Sequence, residues 1–397
     1  MAEVKDLTEL TLKDLWKEVK DEDDWWEEIN EKTVRMVKVI LESSLEEELL
    51  EQIQANRYQR TEVRKGYRNG HYEKSLYIRY GVMKAVRFPR ARESYQSKII
   101  PRYQHRQDEV NEMVRDIFLA GVSTRRIGEI MEKVNGGKVS AQTVSRVTRS
   151  LDIEVRLFQN RPLADGYQYL FLDGISLKSK GADGVHKRQV LCAYGITSEG
   201  KREIISFRQG TDESEAKWEA FLRDLYERGL EGKSCQLIAT DGCPGLHKAL
   251  ETVYPYIPKQ RCWVHKLRNV SNRLRVKDRK ECLVGARLIY LAEHRKEAIR
   301  AYKNWESKWS APYPEAVNCV AKDLDELLSF LEMPVDHRIK VRTTNVIERA
   351  FREVRRRTRP MSCFTNYKSV DRIIFGVISH LNKAWKDKPL LKFTQKT

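Results

Sequence analysis

Tyr169-Leu170-Phe171-Leu172-Asp173-Gly174 and Gln236-Leu237-Ile238-Ala239-Thr240-Asp241-Gly242 decide the fold. Each is a short apolar run that ends in Asp-Gly. Runs of roughly four to eight apolar residues bounded by turn residues read as strands buried on both faces. Gln189-Val190-Leu191-Cys192-Ala193-Tyr194 and Glu203-Ile204-Ile205-Ser206-Phe207 follow the first run as further strands, so a three-stranded meander is expected. Between the meander and the second run, Ser214 to Glu227 carries Trp218, Phe221, Leu222 and Leu225 at helical spacing. The fold class is therefore expected to be α/β.

An Asp-Gly pair at a strand end has a plain explanation, a turn in which the Asp side chain caps the backbone. Its recurrence suggests more. Neighbouring strands lie about 4.8 Å apart, so if these two are adjacent, Asp173 and Asp241 emerge side by side. Two such carboxylates repel unless a cation bridges them. A hard divalent ion, Mg2+ with Mn2+ as substitute, suits oxygen ligands of this kind and serves phosphoryl transfer.

That chemistry calls for a third carboxylate in a phosphate-seeking setting. Thr343-Thr344-Asn345-Val346-Ile347-Glu348-Arg349-Ala350-Phe351-Arg352-Glu353-Val354-Arg355-Arg356-Arg357-Thr358-Arg359 supplies it. Ile347, Phe351 and Val354 recur at i, i+4 and i+7 and anchor one helical face, while Glu348 and Arg352 project from the adjoining one. Arg352, Arg355, Arg356, Arg357 and Arg359 are candidates for DNA phosphates. Glu348 also has a local alternative, because Asn345-x-x-Glu348 has capping-box spacing.

The chain has 397 residues, which suggests more than one domain. Lys and Arg number 74 against 57 Asp and Glu, a net charge of +17 that favours a polyanionic partner. The charge is uneven. Residues 1–54 hold 7 basic and 17 acidic side chains, with Val34, Val37, Ile40, Leu41 and Leu45 as an apolar stripe that could serve dimerisation. Residues 55–106 reverse the balance to 14 basic and 3 acidic, interleaved with tyrosines. Two short runs flanking Tyr80-Gly81 read there as a basic β-ribbon, with Arg64, Lys65 and Arg68 as DNA contacts; a merely solvated hairpin is the alternative.

Three helices are expected next, at 110–119, 123–134 and 140–157, with Ser123 and Ser140 as N-caps. This pattern suits a helix-turn-helix unit over 107–160 that presents Gln142, Thr143, Arg146 and Arg149 to DNA, although helical hairpins are also common as packing units. A boundary is expected near Arg161-Pro162. The sequence shows no apolar run of about 18 residues and no signal-peptide core near Met1, and its seven cysteines form no disulfide framework, so a cytoplasmic protein is expected.

Arg64-x-Gly66-x-Arg68-Asn69-Gly70, Leu172-Asp173-Gly174, Thr240-Asp241-Gly242-x-x-Gly245-Leu246, Cys262-x-x-His265 and Thr344-Asn345-x-Ile347-Glu348-Arg349 occur in that order. Together they resemble the bacterial Mutator-type insertion-sequence transposases. The resemblance implies an RNase H-like core spanning 161–265 and 341–397, interrupted by an all-α insertion at 266–340. It also implies an Asp, Asp, Glu triad at Asp173, Asp241 and Glu348, with Cys262 and His265 as support near the site. Phe351 departs from the pattern, in which a polar Asn commonly follows the Glu-Arg pair.

The implied function is DNA transposition on double-stranded DNA, by a homodimer that brings two element ends together. A DNA-binding regulator that no longer transposes, and a nuclease that cuts without joining, are the alternatives. Cys243, His247, Cys262 and His265 are also zinc-type ligands, but their spacing is unusual and Pro244-Gly245 suits a helix start that would separate them.

Overall fold

The structure is a computed structural model that describes residues 25–56, 58–92, 95–181, 184–359, 364 and 366–390. The first part of the acidic arm, residues 1–24, lies outside the described residues. The chain divides into two compact units, Met1–Arg149 and Ser150–Thr397.

In the first unit, helix α1 (Trp25–Ile53) packs on a hairpin of β1 (Arg68–Ile78) and β2 (Gly81–Ala91). A lone two-stranded ribbon is marginal in water. Here α1 supplies the missing layer: Leu45 packs with Leu76, Ile78, Met83, Val86 and Phe88, and Val34, Val37 and Leu41 join them. Most of the stripe considered for dimerisation thus covers the chain's own hairpin, while Ile40 stays exposed. Opposite charges set the pairing, since Glu46 accepts from Arg68 and from His71 at 2.5 Å each, and Glu42 accepts from the Arg87 amide at 2.9 Å.

Helices α2 (Asp108–Leu119), α3 (Thr124–Asn135) and α4 (Ala141–Thr148) complete this unit. Ser123 and Ser140 cap α3 and α4 as expected, accepting from the amides of Arg126 and Thr143. The third helix stops at Thr148, short of the expected Leu157. A separate helix, α5 (Leu151–Asn160), belongs to the second unit, where Arg372 donates two bonds of 2.6 and 2.8 Å to Asp152.

The second unit is mixed α/β. Among the described residues its sheet has five strands. Strands β3 (Tyr167–Gly181), β4 (Gly184–Thr197) and β5 (Arg202–Gly210) form the expected antiparallel meander. Strands β6 (Leu237–Thr240) and β7 (Lys259–Arg261) add in parallel beyond β3. On one face, α6 (Glu215–Glu227) and α7 (Pro244–Val253) press Trp218, Phe221, Leu222, Leu246 and Leu250 onto Leu170, Leu172, Leu191 and Ile238. This apolar cluster holds the two helices to the sheet.

Between Trp263 and Val341 the chain is helical: α8 (Trp263–Ser271), α9 (Val276–Leu291), α10 (Arg295–Trp309), α11 (Pro314–Ala321), α12 (Leu324–Leu328), a 3-10 turn and α13 (Val335–Val341). The chain then returns through α14 (Asn345–Thr358) and α15 (Tyr367–Trp385). Tyr194 of the sheet meets Phe171 and, on α15, Trp385, each edge-on with ring centroids 5.7 Å apart. No described helix is long and apolar enough to cross a membrane.

Candidate active site

β6 pairs with β3 in parallel, with Leu172 opposite Thr240. The next residue on each chain is the carboxylate, so Asp173 and Asp241 leave this register as neighbours. The two Asp-Gly steps differ in structure. After Thr240 the strand ends; Asp241 Oδ1 accepts the Cys243 amide at 2.9 Å, and Gly242 takes a left-handed φ of +93°, so the expected turn is present. β3 does not end at Asp173, as its sequence had suggested, but continues to Gly181 because β4 pairs with it along that whole length. Asp173 is therefore a mid-strand residue, 7% exposed, whose Oδ1 accepts the Gly174 amide at 2.8 Å.

Burial, with Asp241 alongside, pushes the Asp173 carboxyl up to about 8. Its surroundings disfavour a second negative charge. The Gly174 amide and then His265 favour ionisation, while Glu348 adds to the repulsion.

Glu348 comes from α14, whose buried face is Ile347, Ala350, Phe351, Val354 and Thr358. Phe351 is thus a packing residue. The helix is preceded by Thr344 rather than Asn345, and no side chain caps it, so the capping-box role available to Glu348 is not used. Glu348 Oε1 is buried and accepts no hydrogen bond from the described residues, although His265 Nε2 stands 3.3 Å away.

Cys262 and His265 frame the start of α8. The Cys262 amide donates to Thr240 O at 2.8 Å, and its sulfur accepts from the Thr344 amide at 3.3 Å. One residue, through its amide and its sulfur, therefore ties the Asp241 strand to the head of the Glu348 helix. Burial works to raise the Cys262 thiol, but His265 and Thr344 outweigh it and hold the thiol below its usual value. Cys262 in turn raises His265 to about 8, with Glu348 and Asp173 adding to the effect. Cys243 and His247 are engaged elsewhere: the Cys243 thiol donates to Glu213 O, and His247 pairs with Glu326 at 2.6 Å.

Among the described residues no three His, Cys, Asp or Glu side chains form a ligating cluster. Asp173 neighbours Asp241, and Glu348 neighbours His265. The donor set still suits a hard cation, being carboxylate oxygens with one orphaned buried oxygen on Glu348.

The arginines singled out on α14 and at its C-cap divide in two. Arg352, Arg355, Arg356 and Arg359 are exposed, whereas Arg357 is half-buried and bonded to Glu353 at 2.6 Å. In the first unit, Gln142, Thr143, Arg146 and Arg149 line one cleft of about 300 Å³. Arg146 also lines a second, of about 400 Å³, with Tyr103, Gln104, His105, Arg106 and Asn111. Arg106, fixed by Asn111 at 3.0 Å, is held below the usual arginine range by burial and then by Arg146. The loop 103–106 was missed in the sequence because it carries no periodic pattern. Arg68 is bonded to Glu46, Arg64 donates to Asn56 O and lies over the Tyr67 ring, and Lys65 is exposed.

The sequence profile described as Transposase, Mutator family, matches residues 3–388. The chain belongs to the Mutator family of transposases. It is 32% identical over 353 residues to the transposase for insertion sequence element ISRM5 of Rhizobium meliloti (strain 1021), covering 89% of this chain and 88% of that one. It is 33% identical to the transposase for IS406 of Burkholderia multivorans (83% and 85% covered) and 31% identical to that for IS256 in transposon Tn4001 of Staphylococcus aureus (88% and 90%). Membership supports a transposase role and DNA as the partner.

Proposed function

We propose that this Mutator-family member is a transposase of the Asp-Asp-Glu type, which binds the terminal inverted repeats of an insertion sequence, cleaves the element ends and joins their 3′-hydroxyls to target DNA. The observation that carries the reading is the parallel register of β3 and β6, which delivers Asp173 and Asp241 together. Glu348, held beside His265 with an unsatisfied oxygen, supplies the third carboxylate. The sheet with its helical segment between Trp263 and Val341 supports the RNase H-like core and all-α insertion implied by the sequence.

Asp173, Asp241 and Glu348 would hold Mg2+ or Mn2+, which supplies Lewis-acid activation of the attacking and leaving oxygens. Asp173, buried and repelled by its neighbour, releases its proton when it takes up this role. His265 orients Glu348, and Cys262 holds α8 to both carboxylate-bearing elements. The exposed Arg352, Arg355, Arg356 and Arg359 grip the DNA backbone and offset phosphate charge. The 3′-hydroxyl freed by hydrolysis is then the nucleophile for joining, with no protein-linked intermediate. Two ends must react together, so a homodimer is the simplest assembly.

Gln at position 348 tests the reading. Glu348→Gln removes the charge and keeps the shape, so cleavage of end DNA should fall by 100-fold or more, on the order of 3 kcal/mol, with the melting temperature unchanged. Retained cleavage would sink the assignment.

A further inference from the structure

Two glycines of the site are glycines because of one neighbouring loop. Gly174 lies inside β3 with no left-handed φ, yet a Cβ there would overlap the carboxyl group of Glu213. Gly245, in the first turn of α7, would place a Cβ 2.7 Å from Glu213 O and from the Glu215 amide nitrogen. The Cys243 thiol donates to Glu213 O at 3.5 Å. Asp212 fixes the loop from its other side by accepting the Ser214 amide at 2.9 Å. The loop before α6 is thus clamped against both Asp-Gly segments, and its glutamate fills the space that a side chain at 174 would take.

Glu213 is half-buried, and no cation or hydrogen-bond donor among the described residues engages its carboxylate. Burial and Asp241 both oppose its charge. Its place is therefore a costly one for a carboxylate. A surface glutamate at the head of a helix needs neither a glycine opposite it nor a second glycine beneath its backbone.

We propose that Glu213 is a fourth carboxylate of the divalent-cation site, acting from the Asp241 side, and that position 174 is glycine to admit it. The inference rests on the reading of Asp173, Asp241 and Glu348 given above. Asp241 then has an acidic neighbour on either side, Asp173 and Glu213, so a cation bound there relieves two repulsions. The sequence masks this role, because Asp212-Glu213-Ser214 reads as an ordinary acidic helix start.

The test is Mn2+ binding to the full-length protein without DNA, followed by the electron paramagnetic resonance signal of free Mn2+ and by melting with and without the ion. Wild type should bind, and Asp241→Asn should not. Glu213→Gln should bind at least ten-fold more weakly, while its metal-free melting temperature equals or exceeds that of wild type. Gly174→Ala, which displaces the carboxyl group with its charge intact, should weaken Mn2+ binding in the same direction and serves as the second variant. Wild-type affinity in Glu213→Gln, with binding still lost in Asp241→Asn, would overturn the role of Glu213 alone. If wild type and Asp241→Asn are alike in failing to bind, the carboxylate-site reading falls with it.

Discussion

Asp173→Asn in metal-free protein should raise stability, and the size of the gain follows from where the carboxylate sits. Asp173 is 7% exposed, and its carboxyl is pushed from 3.8 up to about 8 by burial and by Asp241. A carboxyl raised in the folded state keeps a proton that the unfolded chain has released. Its contribution to stability is therefore fully present below about pH 4 and is lost as the pH rises to about 8. One pKa unit corresponds to about 1.4 kcal/mol, so the ceiling is about 5 kcal/mol at pH 8. Solvent relaxation around the charge lowers the expected gain to about 2 kcal/mol, and the amide oxygen at this position still accepts the Gly174 amide hydrogen. For a unit of this size that is about 4–8 °C in the Tm of its unfolding transition. Melting in EDTA at pH 5 and pH 8 is the assay. The variant should exceed wild type at pH 8, the gap should shrink toward pH 4, and Mg2+ should stabilise wild type but not the variant. A variant no more stable than wild type at pH 8, or a gap independent of pH, would refute the account of a repelled, buried carboxylate.

Arg106→Ala and Arg146→Ala, if each removes one phosphate contact, should each lower the slope of log K against log salt for DNA binding by about 0.9, equally on all sequences; an unchanged slope would place the cleft off the DNA. Leu45→Ala empties a fully buried contact between α1 and the hairpin and should cost about 2–5 kcal/mol, read by denaturant titration of the first unit's transition. Arg372→Ala strips Asp152 of its two bonds and should loosen α5, detected as faster amide exchange in Leu151–Asn160 while Ser123 and Ser140 keep their caps. Unchanged exchange there would mean that apolar packing alone holds α5.

The sheet was legible in the sequence because its central strands are apolar runs that no helix of that length would use. Asp173 and Asp241 followed from the recurrence of Asp-Gly, although only Gly242 proves to be a turn glycine. β7 was not legible, since Lys259-Gln260-Arg261 has no apolar residue and is a strand by pairing with β6 alone. The break after Thr148 was equally silent in composition; Asp152, early in the helix that follows, is bonded to Arg372 far along the chain. Glu348 could not be separated from a capping residue by spacing; the structure removes that role by placing Thr344, not Asn345, at the N-cap, with no side-chain cap bond. Arg68 was chosen for its charge, and whether that charge faces DNA or Glu46 is a tertiary matter that local sequence does not encode.

Strand transfer tests the central claim most directly. Labelled DNA from the inverted repeats flanking the gene, a target plasmid and Mg2+ are mixed with full-length wild type, Asp173→Asn, Asp241→Asn and Glu348→Gln. The account predicts that wild type joins the labelled 3′-hydroxyl to the plasmid and that each variant, folded and still DNA-bound, fails to cut or join. Joining at wild-type levels by any of the three would contradict it, and cutting without joining by wild type would mark the chain as a nuclease.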